Sequence, residues 1–531
     1  MTLTRRTNTS GLSGAALRWA VTATAVVGFS FFGFDQGVMS GIITGEKFNE
    51  EFPATAGTSH HTVVIQGAVT SCYELGCFVG ALFAMFRGEK IGRRPLVLIG
   101  AIIIIIGTTI TCSAMGPHWG LGQFVVGRVI TGVGNGMNTA TIPVWQSEMS
   151  KPENRGRLVN LEGAIIAVGT FIAYWLDFGL SFVNSSIQWR FPIAFQIIFA
   201  LLLFFLMWGM PESPRWLVGQ NRLDEATQIL AALWGTDAND PTVVTEIRLV
   251  AEAIHRESGE VSLKDVLAGG KQQNLRRMLL GASTQLFQQF TGCNAAIYYS
   301  TVLFKNSMKL GNTISLVMGG VFATVYALST IPSFFLVDRI GRRKLFMIGA
   351  LGQGLSFTIT FACLTHESKQ TSKGAAVGLY LFIFFFAISI LGLPWIYPPE
   401  INPNRTRTVA TSISTCTNWL SNFAVVMFTP IFIANSGTGG WGCYCFFACV
   451  NFLYVPFIYF LYPETAGRSL EEMDIIFAKG YSEKINYVKV ANEMPKLSDR
   501  EVEEEAVKYG LYDISHDSEL EKEQYTNDSD A

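Results

Sequence analysis

The sequence predicts an all-α membrane protein of twelve transmembrane helices, arranged as two six-helix halves related by pseudo-symmetry, with both termini cytoplasmic. Three observations carry this prediction. First, the 531 residues are 49% hydrophobic and 15% charged, with a mean hydropathy of +0.32. They contain repeated apolar runs of about 20 residues, the length that crosses a hydrocarbon core as a helix. Second, three signatures recur after about 250 residues: EKIGRR returns as DRIGRR, Glu148 with Arg155 as Glu400 with Arg407, and PESPRWL as PETAGRSL. Such an echo indicates an internal duplication. Third, Lys and Arg concentrate in alternate short segments, sixteen on one side against six on the other. That bias places the GRR loops and both termini in the cytoplasm.

Taken along the chain, residues 1–18 are polar, and the first apolar run is too long for a cleavable signal, so they form a cytoplasmic tail. The first half, 19–210, holds runs at 19–44, 62–86, 95–115, 120–147, 158–181 and 189–210. Five consecutive isoleucines at 102–106 would favour a strand in water. In lipid only a structure that closes its own backbone hydrogen bonds survives, so the run is expected to be helical. Residues 211–275 are polar and form a cytoplasmic helical linker in which NRLDEATQILAAL has helical apolar spacing. The second half, 276–462, holds runs at 276–304, 312–337, 343–364, 374–398, 407–434 and 440–462. Residues 463–531 are expected to be a largely disordered acidic tail, with twelve acidic against four basic residues from Pro495 onward. Its lysines and serines offer targets to ubiquitination or phosphorylation machinery. Asn184-Ser185-Ser186 is a glycosylation sequon on the outer side.

The signatures also carry a family resemblance. GxxIGRR, the Glu-x6-Arg-Gly-Arg loop, PESPRWL, QQFTGCNAAIYYS and PETAGRSLEE, spread over about residues 20–475, resemble the sugar porter family of the major facilitator superfamily. Within it, EFPAT, VVIQGAVTSCYELGCF, TIPVWQSEMSKPENRG, LVNLEG, AYWLDFGLS and CTNWLSNFAVVMFTPIF are similar to the fungal sugar-transporter-like glycerol–proton symporters. The resemblance implies the major facilitator fold, a plasma-membrane location, and proton-driven uptake of glycerol or another small polyol by alternating access.

Asp35 is the only formal charge between Arg18 and Glu46. A carboxylate within a membrane span is costly unless paired, and so marks function. Arg128, alone among basic residues between His118 and Lys151, is its candidate partner. In proton-coupled members of the family these two positions hold the switchable pair, which implies that Asp35 and Arg128 couple the proton. Glu74, Glu162 and Asp177 are competing intramembrane acids. No histidine falls in a predicted span, so a proton relay must use carboxylates. At the cytoplasmic mouth, Glu89, Arg93, Arg94, Glu148, Arg155, Arg157, Asp338, Arg339, Arg342, Glu400 and Arg407 are expected to form gate pairs that hold the outward-open state and break on inward opening.

A polyol needs groups that donate and accept hydrogen bonds. Gln285, Gln288 and Gln289 share one face of span seven through i, i+3 and i+4 spacing. The resemblance places Gln288, Gln289 and Asn294, with Trp395 of span ten and Asn418 of span eleven, on the substrate. Tyr298 and Tyr299 are expected to close the site from outside. Two positions depart from the family. The usual span-five glutamine falls at Gly163, with Thr170 the next inward position, and the usual polar residue of span eight falls at Ala323. These losses remove contacts a hexose uses and favour a three-carbon polyol. Against this, Gly28-Phe29-x-x-x-Gly33 matches a short pattern linked to pentose preference in fungal members, or else serves close helix packing.

A hexose or pentose porter, symporter or facilitator, is the first alternative, and a non-transporting nutrient receptor the second. An enzyme is the least expected reading, since the sequence shows no P-loop, GxSxG elbow or metal cluster. The nine cysteines have no metal-ligand spacing, so no cofactor is expected beyond the proton as coupling ion. The net charge of −2 gives no basis for nucleic-acid binding. The expected partners are the polyol, the proton and the lipid bilayer.

Overall fold

A computed structural model describes residues 11–116, 119–150, 155–256, 263–366, 369–403 and 405–511, and among them every regular element is helical. Six long helices form the first half: α1 (Gly14–Ile42), α2 (His60–Ile91), α3 (Arg93–Cys112), α4 (Trp119–Glu148), α5 (Arg155–Leu180) and α6 (Ile187–Trp208). The second half repeats the pattern. Its first helix is split into α7a (Asn274–Phe290) and α7b (Cys293–Val302). Then come α8 (Asn312–Ile340), α9 (Arg342–Leu364), α10 (Lys369–Phe385, a π turn Phe386–Ile390, then Leu393–Ile401), α11 (Arg407–Asn435) and α12 (Trp441–Leu461).

Ten of these twelve are long and apolar enough, by length and composition, to cross a membrane. Of the other two, α7 is split into helices of 17 and 10 residues, and α4 is interrupted by buried polar side chains. α4 carries Arg128, Asn135 and Asn138. α7 breaks at Gly292, whose φ of 95° only glycine adopts without strain. The isoleucines 102–106 lie inside α3, as membrane burial requires.

Small residues set the distances between helices. A Cβ on Gly76 would strike the Val129 carbonyl, one on Gly132 the Tyr73 carbonyl, and one on Gly136 the Cys77 carbonyl. α2 and α4 therefore touch backbone to backbone, as small residues allow within membranes. Gly33 likewise faces the Ile166 carbonyl of α5, and a Cβ on Gly28 would meet the side chain of Ile142. The glycine pattern of α1 is thus occupied by helix packing.

The duplicated signatures make duplicated caps. Glu212 accepts the backbone N–H groups of Arg93 (3.1 Å) and Arg94 (3.1 Å) at the start of α3. Glu464 accepts those of Arg342 (2.8 Å) and Arg343 (3.1 Å) at the start of α9. Each carboxylate satisfies N–H groups that a helix start leaves free and complements its dipole. The linker contains the expected amphipathic helix, Leu223–Trp234, docked on the start of α1, where Arg18 donates to the Leu233 carbonyl at 2.6 Å.

The tail corrects the expectation of a largely disordered 463–531. Helices Leu470–Ser482, Tyr487–Glu493 and Asp499–Lys508 are formed. Ile475, Phe477, Ala506 and Tyr509 are buried, and Ser469 and Glu472 make a reciprocal capping box. Apolar residues at helical spacing sit within an acidic average, and the average hid them. Residues beyond 511 lie outside the described residues.

Candidate functional site

The site grows from α1, α2 and α4. Asp35 and Arg128 are both buried, and Arg128 Nη1 donates to Asp35 Oδ1 at 2.5 Å. Gln196 Nε2 of α6 donates to the same oxygen at 2.8 Å. The Arg128 guanidinium lies 4.6 Å from the centre of the Tyr73 ring, which covers its other face. Asp35 Oδ2 and Arg128 Nε and Nη2 have no partner. The pair expected from sequence is therefore brought together through a single bond. Gln196 and Tyr73 were not anticipated. Gln196 stands alone as an amide within one of the most apolar runs, and that isolation was the available signal.

Across the midline, α7a turns its amides toward α10 and α11. Gln285 Nε2 donates to the Pro394 carbonyl at 2.7 Å, and Gln288 Nε2 to that of Ile390 at 2.8 Å. Asn418 Nδ2 donates to Gln285 Oε1 at 2.6 Å and to Gln288 Oε1 at 3.0 Å. Asn294 Nδ2 donates to Gln289 Oε1 at 2.7 Å and to Asn422 Oδ1 at 2.8 Å. Five of the residues expected on the substrate thus lie buried in two hydrogen-bonded amide sets, Gln285 and Gln288 with Asn418, and Gln289 with Asn294, the second set joined unannounced by Asn422. Trp395 is half-buried beside Pro394.

Tyr298 and Tyr299 separate in role. Tyr298 donates its hydroxyl across the two halves to Glu74 of α2, whereas Tyr299 donates to the Val426 carbonyl within its own half at 2.9 Å. Thr170 departs from its expected place on the substrate. Its hydroxyl donates to the Gly33 carbonyl at 2.9 Å and the Ile166 carbonyl at 3.1 Å, because α1 and α5 pack too closely to leave it open. Gly163 faces α10, where an added Cβ would already lie 3.4 Å from Leu391 Cγ. Ala323 is buried. Asp177 is buried with neither carboxylate oxygen partnered, and Glu162 is buried in α5.

The charges at the mouth pair within halves. Arg93 bonds Glu148 (3.1 Å) and Glu89 (3.0 Å), and Arg342 bonds Glu400 (2.9 Å). Arg94 instead donates to the Trp208 carbonyl at 2.7 Å, and Arg339 is exposed. These pairs lie within one half each, in a state whose outer seam is closed. The side chains of Arg155, Arg157 and Asp338 lie outside the described residues. Arg407 starts α11. Asn184 is exposed in the turn between α5 and α6.

The halves are joined at the end away from the basic loops. Ser40 Oγ donates to Thr301 at 3.1 Å, Tyr174 bonds the Ile297 carbonyl and Ser300, and Trp175 Nε1 donates to Thr324 at 3.1 Å. The outer seam is closed, and in this closed state the Asp35–Arg128 pair is formed.

Comparison with known proteins agrees with this architecture. The profile of the family described as "Sugar (and other) transporter" matches residues 21–477. "Sugar transporter STL1" of Saccharomyces cerevisiae is 59% identical over 98% of this chain and 91% of its own length. "Major facilitator superfamily transporter mfsA" of Aspergillus fumigatus is 54% identical over 99% of this chain and 98% of its own. Among solved structures, the proton:xylose symporter XylE bound to 6-bromo-6-deoxy-D-glucose superposes with a TM-score of 0.74 at 24% identity, over 87% of this chain and 99% of that one. The partially occluded inward-open form of XylE from E. coli gives 0.70 at 22% identity, over 84% and 100%. At these identities the two structures establish the shared fold alone.

Proposed function

The chain belongs to the sugar (and other) transporter family of multi-pass membrane transporters, and from that premise we propose that it carries glycerol, or another small polyol, into the cell with a proton. Uptake across the plasma membrane proceeds by alternating access. The observation that carries the substrate class is the uneven supply of polar groups. The second half offers buried amides such as Gln285, Gln288 and Asn418, while Gly163 of the first half has no side chain and a Cβ there would already lie 3.4 Å from Leu391 Cγ. A hexose would leave hydroxyls unpaired there, at a cost of about 1–3 kcal/mol each. The resemblance to fungal glycerol–proton symporters points the same way.

The coupling follows from the single bond between Asp35 and Arg128. When the outer side opens, protonation of Asp35 releases Arg128. When the inner side opens, the proton leaves and the pair reforms, as in the outer-closed state described above. Proton binding thereby biases one conformation over the other, which is all that coupling requires. The exposed Asn184 suits glycosylation of the outer loop. The test is uptake of labelled glycerol, erythritol, xylose and glucose by cells lacking their own polyol carriers. Accumulation of glycerol above its external concentration, abolished by a protonophore, is expected. Preference for a pentose or hexose would overturn the substrate assignment.

A further inference from the structure

Arg128 is held from two sides, and a proton can remove only one of them. Asp35 accepts its Nη1 at 2.5 Å. The ring of Tyr73 lies 4.6 Å from the guanidinium carbon. Both Tyr73 and Arg128 are buried. The backbone behind the ring fixes its place. The Tyr73 carbonyl packs against Gly132, one turn beyond Arg128 on α4, and the Val129 carbonyl packs against Gly76 of α2. A side chain at either glycine would strike backbone, so the register of α2 on α4 seats Tyr73 on Arg128.

Protonation of Asp35 leaves the guanidinium buried without its counter-charge, and an unpaired buried cation is costly. Neither Nε nor Nη2 has an acceptor that could take over. The face of an aromatic ring attracts a cation, most strongly where water is excluded. While Asp35 is charged, that attraction is opposed by the ring's repulsion of the anion beside it. Once Asp35 is neutral, only the attraction remains. The ring therefore favours the released state over the paired one.

We propose that Tyr73 is a positioning residue of the proton site: its ring receives the Arg128 cation when Asp35 is protonated, and so sets how readily Asp35 takes the proton. The proposal rests on the coupling reading given above. It deepens that reading by naming what holds Arg128 once the pair has opened. The other titratable groups whose charge acts on Asp35 are Cys72, Glu74 and Cys77 of α2 and Tyr298 of α7b. None of them is altered in the variants used below. The Tyr73 hydroxyl also neighbours Asp35, so Tyr73→Phe separates the hydroxyl's part from the ring's.

The test is the initial rate of labelled glycerol uptake against external pH, by the full chain in proteoliposomes at fixed internal pH. Wild type and Tyr73→Phe are expected to share one midpoint. In Tyr73→Leu the protonated state loses its support, so the midpoint is expected to move about one unit to acid, a tenfold loss of proton affinity on the scale of a desolvated cation–π contact. The maximal rate is expected to return at low pH. Should Tyr73→Leu fail to fold, a fluorinated phenylalanine at position 73 keeps the ring's shape and removes the negative potential of its face, and the same acid shift is expected. A rate lowered equally at every pH with an unmoved midpoint would reveal a packing role and overturn the proposal. So would a Tyr73→Phe shift as large as that of Tyr73→Leu, which would assign the effect to the hydroxyl. A wild type indifferent to pH would remove the coupling reading, and the proposal with it. A pH-dependent wild type with unmoved variants overturns the proposal alone.

Discussion

Asp35 receives two hydrogen bonds on one oxygen and none on the other. That asymmetry fits a carboxylate that must release its partner more than one locked into a permanent bridge. Its position was legible because a lone charge stands out in an apolar run, and Arg128 stood out for the same reason. The amides were legible by spacing, since Gln285 and Gln288 share a face and meet Asn418 there. Thr170 was misjudged because periodicity fixes a face but not the clearance between helices. Asn418→Ala is expected to raise the substrate KM about tenfold, in line with loss of one to two buried hydrogen bonds, whereas Thr170→Val leaves it within about twofold. Transport kinetics on the two variants check both. Asp177 is buried with neither carboxylate oxygen partnered, an arrangement costly for a charged group, so Asp177→Asn is expected to keep or raise stability, as read by thermal unfolding.

At the scale of elements, the repeat was readable but its purpose was not. The sequence shows Pro-Glu after spans six and twelve, and the fold turns both glutamates back onto the starts of α3 and α9. The partners are about 120 residues apart, beyond any local signal. Glu212→Ala and Glu464→Ala are each expected to lower stability by about 1–2 kcal/mol, as a lost helix cap does, with similar effects because the caps are equivalent. Thermal unfolding of the purified variants measures this, and a marked inequality would break the proposed equivalence. The α3 isoleucines and the tail helices teach opposite lessons about averages. Intrinsic strand propensity yields to the bilayer in the first case. In the second, the acidic composition beyond Pro495 concealed Ala506 and Tyr509, three residues apart and buried in one cluster.

At the scale of the molecule, each half carries its own ion pairs at the basic end, and side-chain bonds join the halves at the outer seam. Tyr174 bonds the backbone of α7b, and Trp175 bonds α8. Tyr174→Phe removes one such link, worth about 1 kcal/mol, and is expected to shift the population about fivefold toward an open outer side. Distances between spin labels at positions 184 and 312, in a background without reactive cysteines, would lengthen accordingly. The central claim is that this opening and closing is driven by the proton on Asp35. It is tested most directly by recording external pH in weakly buffered suspensions of energised cells expressing the chain as glycerol is added. The account predicts a transient alkalinisation that is absent with glucose or xylose and lost in Asp35→Asn. Glycerol entry that stops at equal concentrations inside and out, with no change of pH, would instead make the protein a facilitator and Asp35 a structural partner of Arg128.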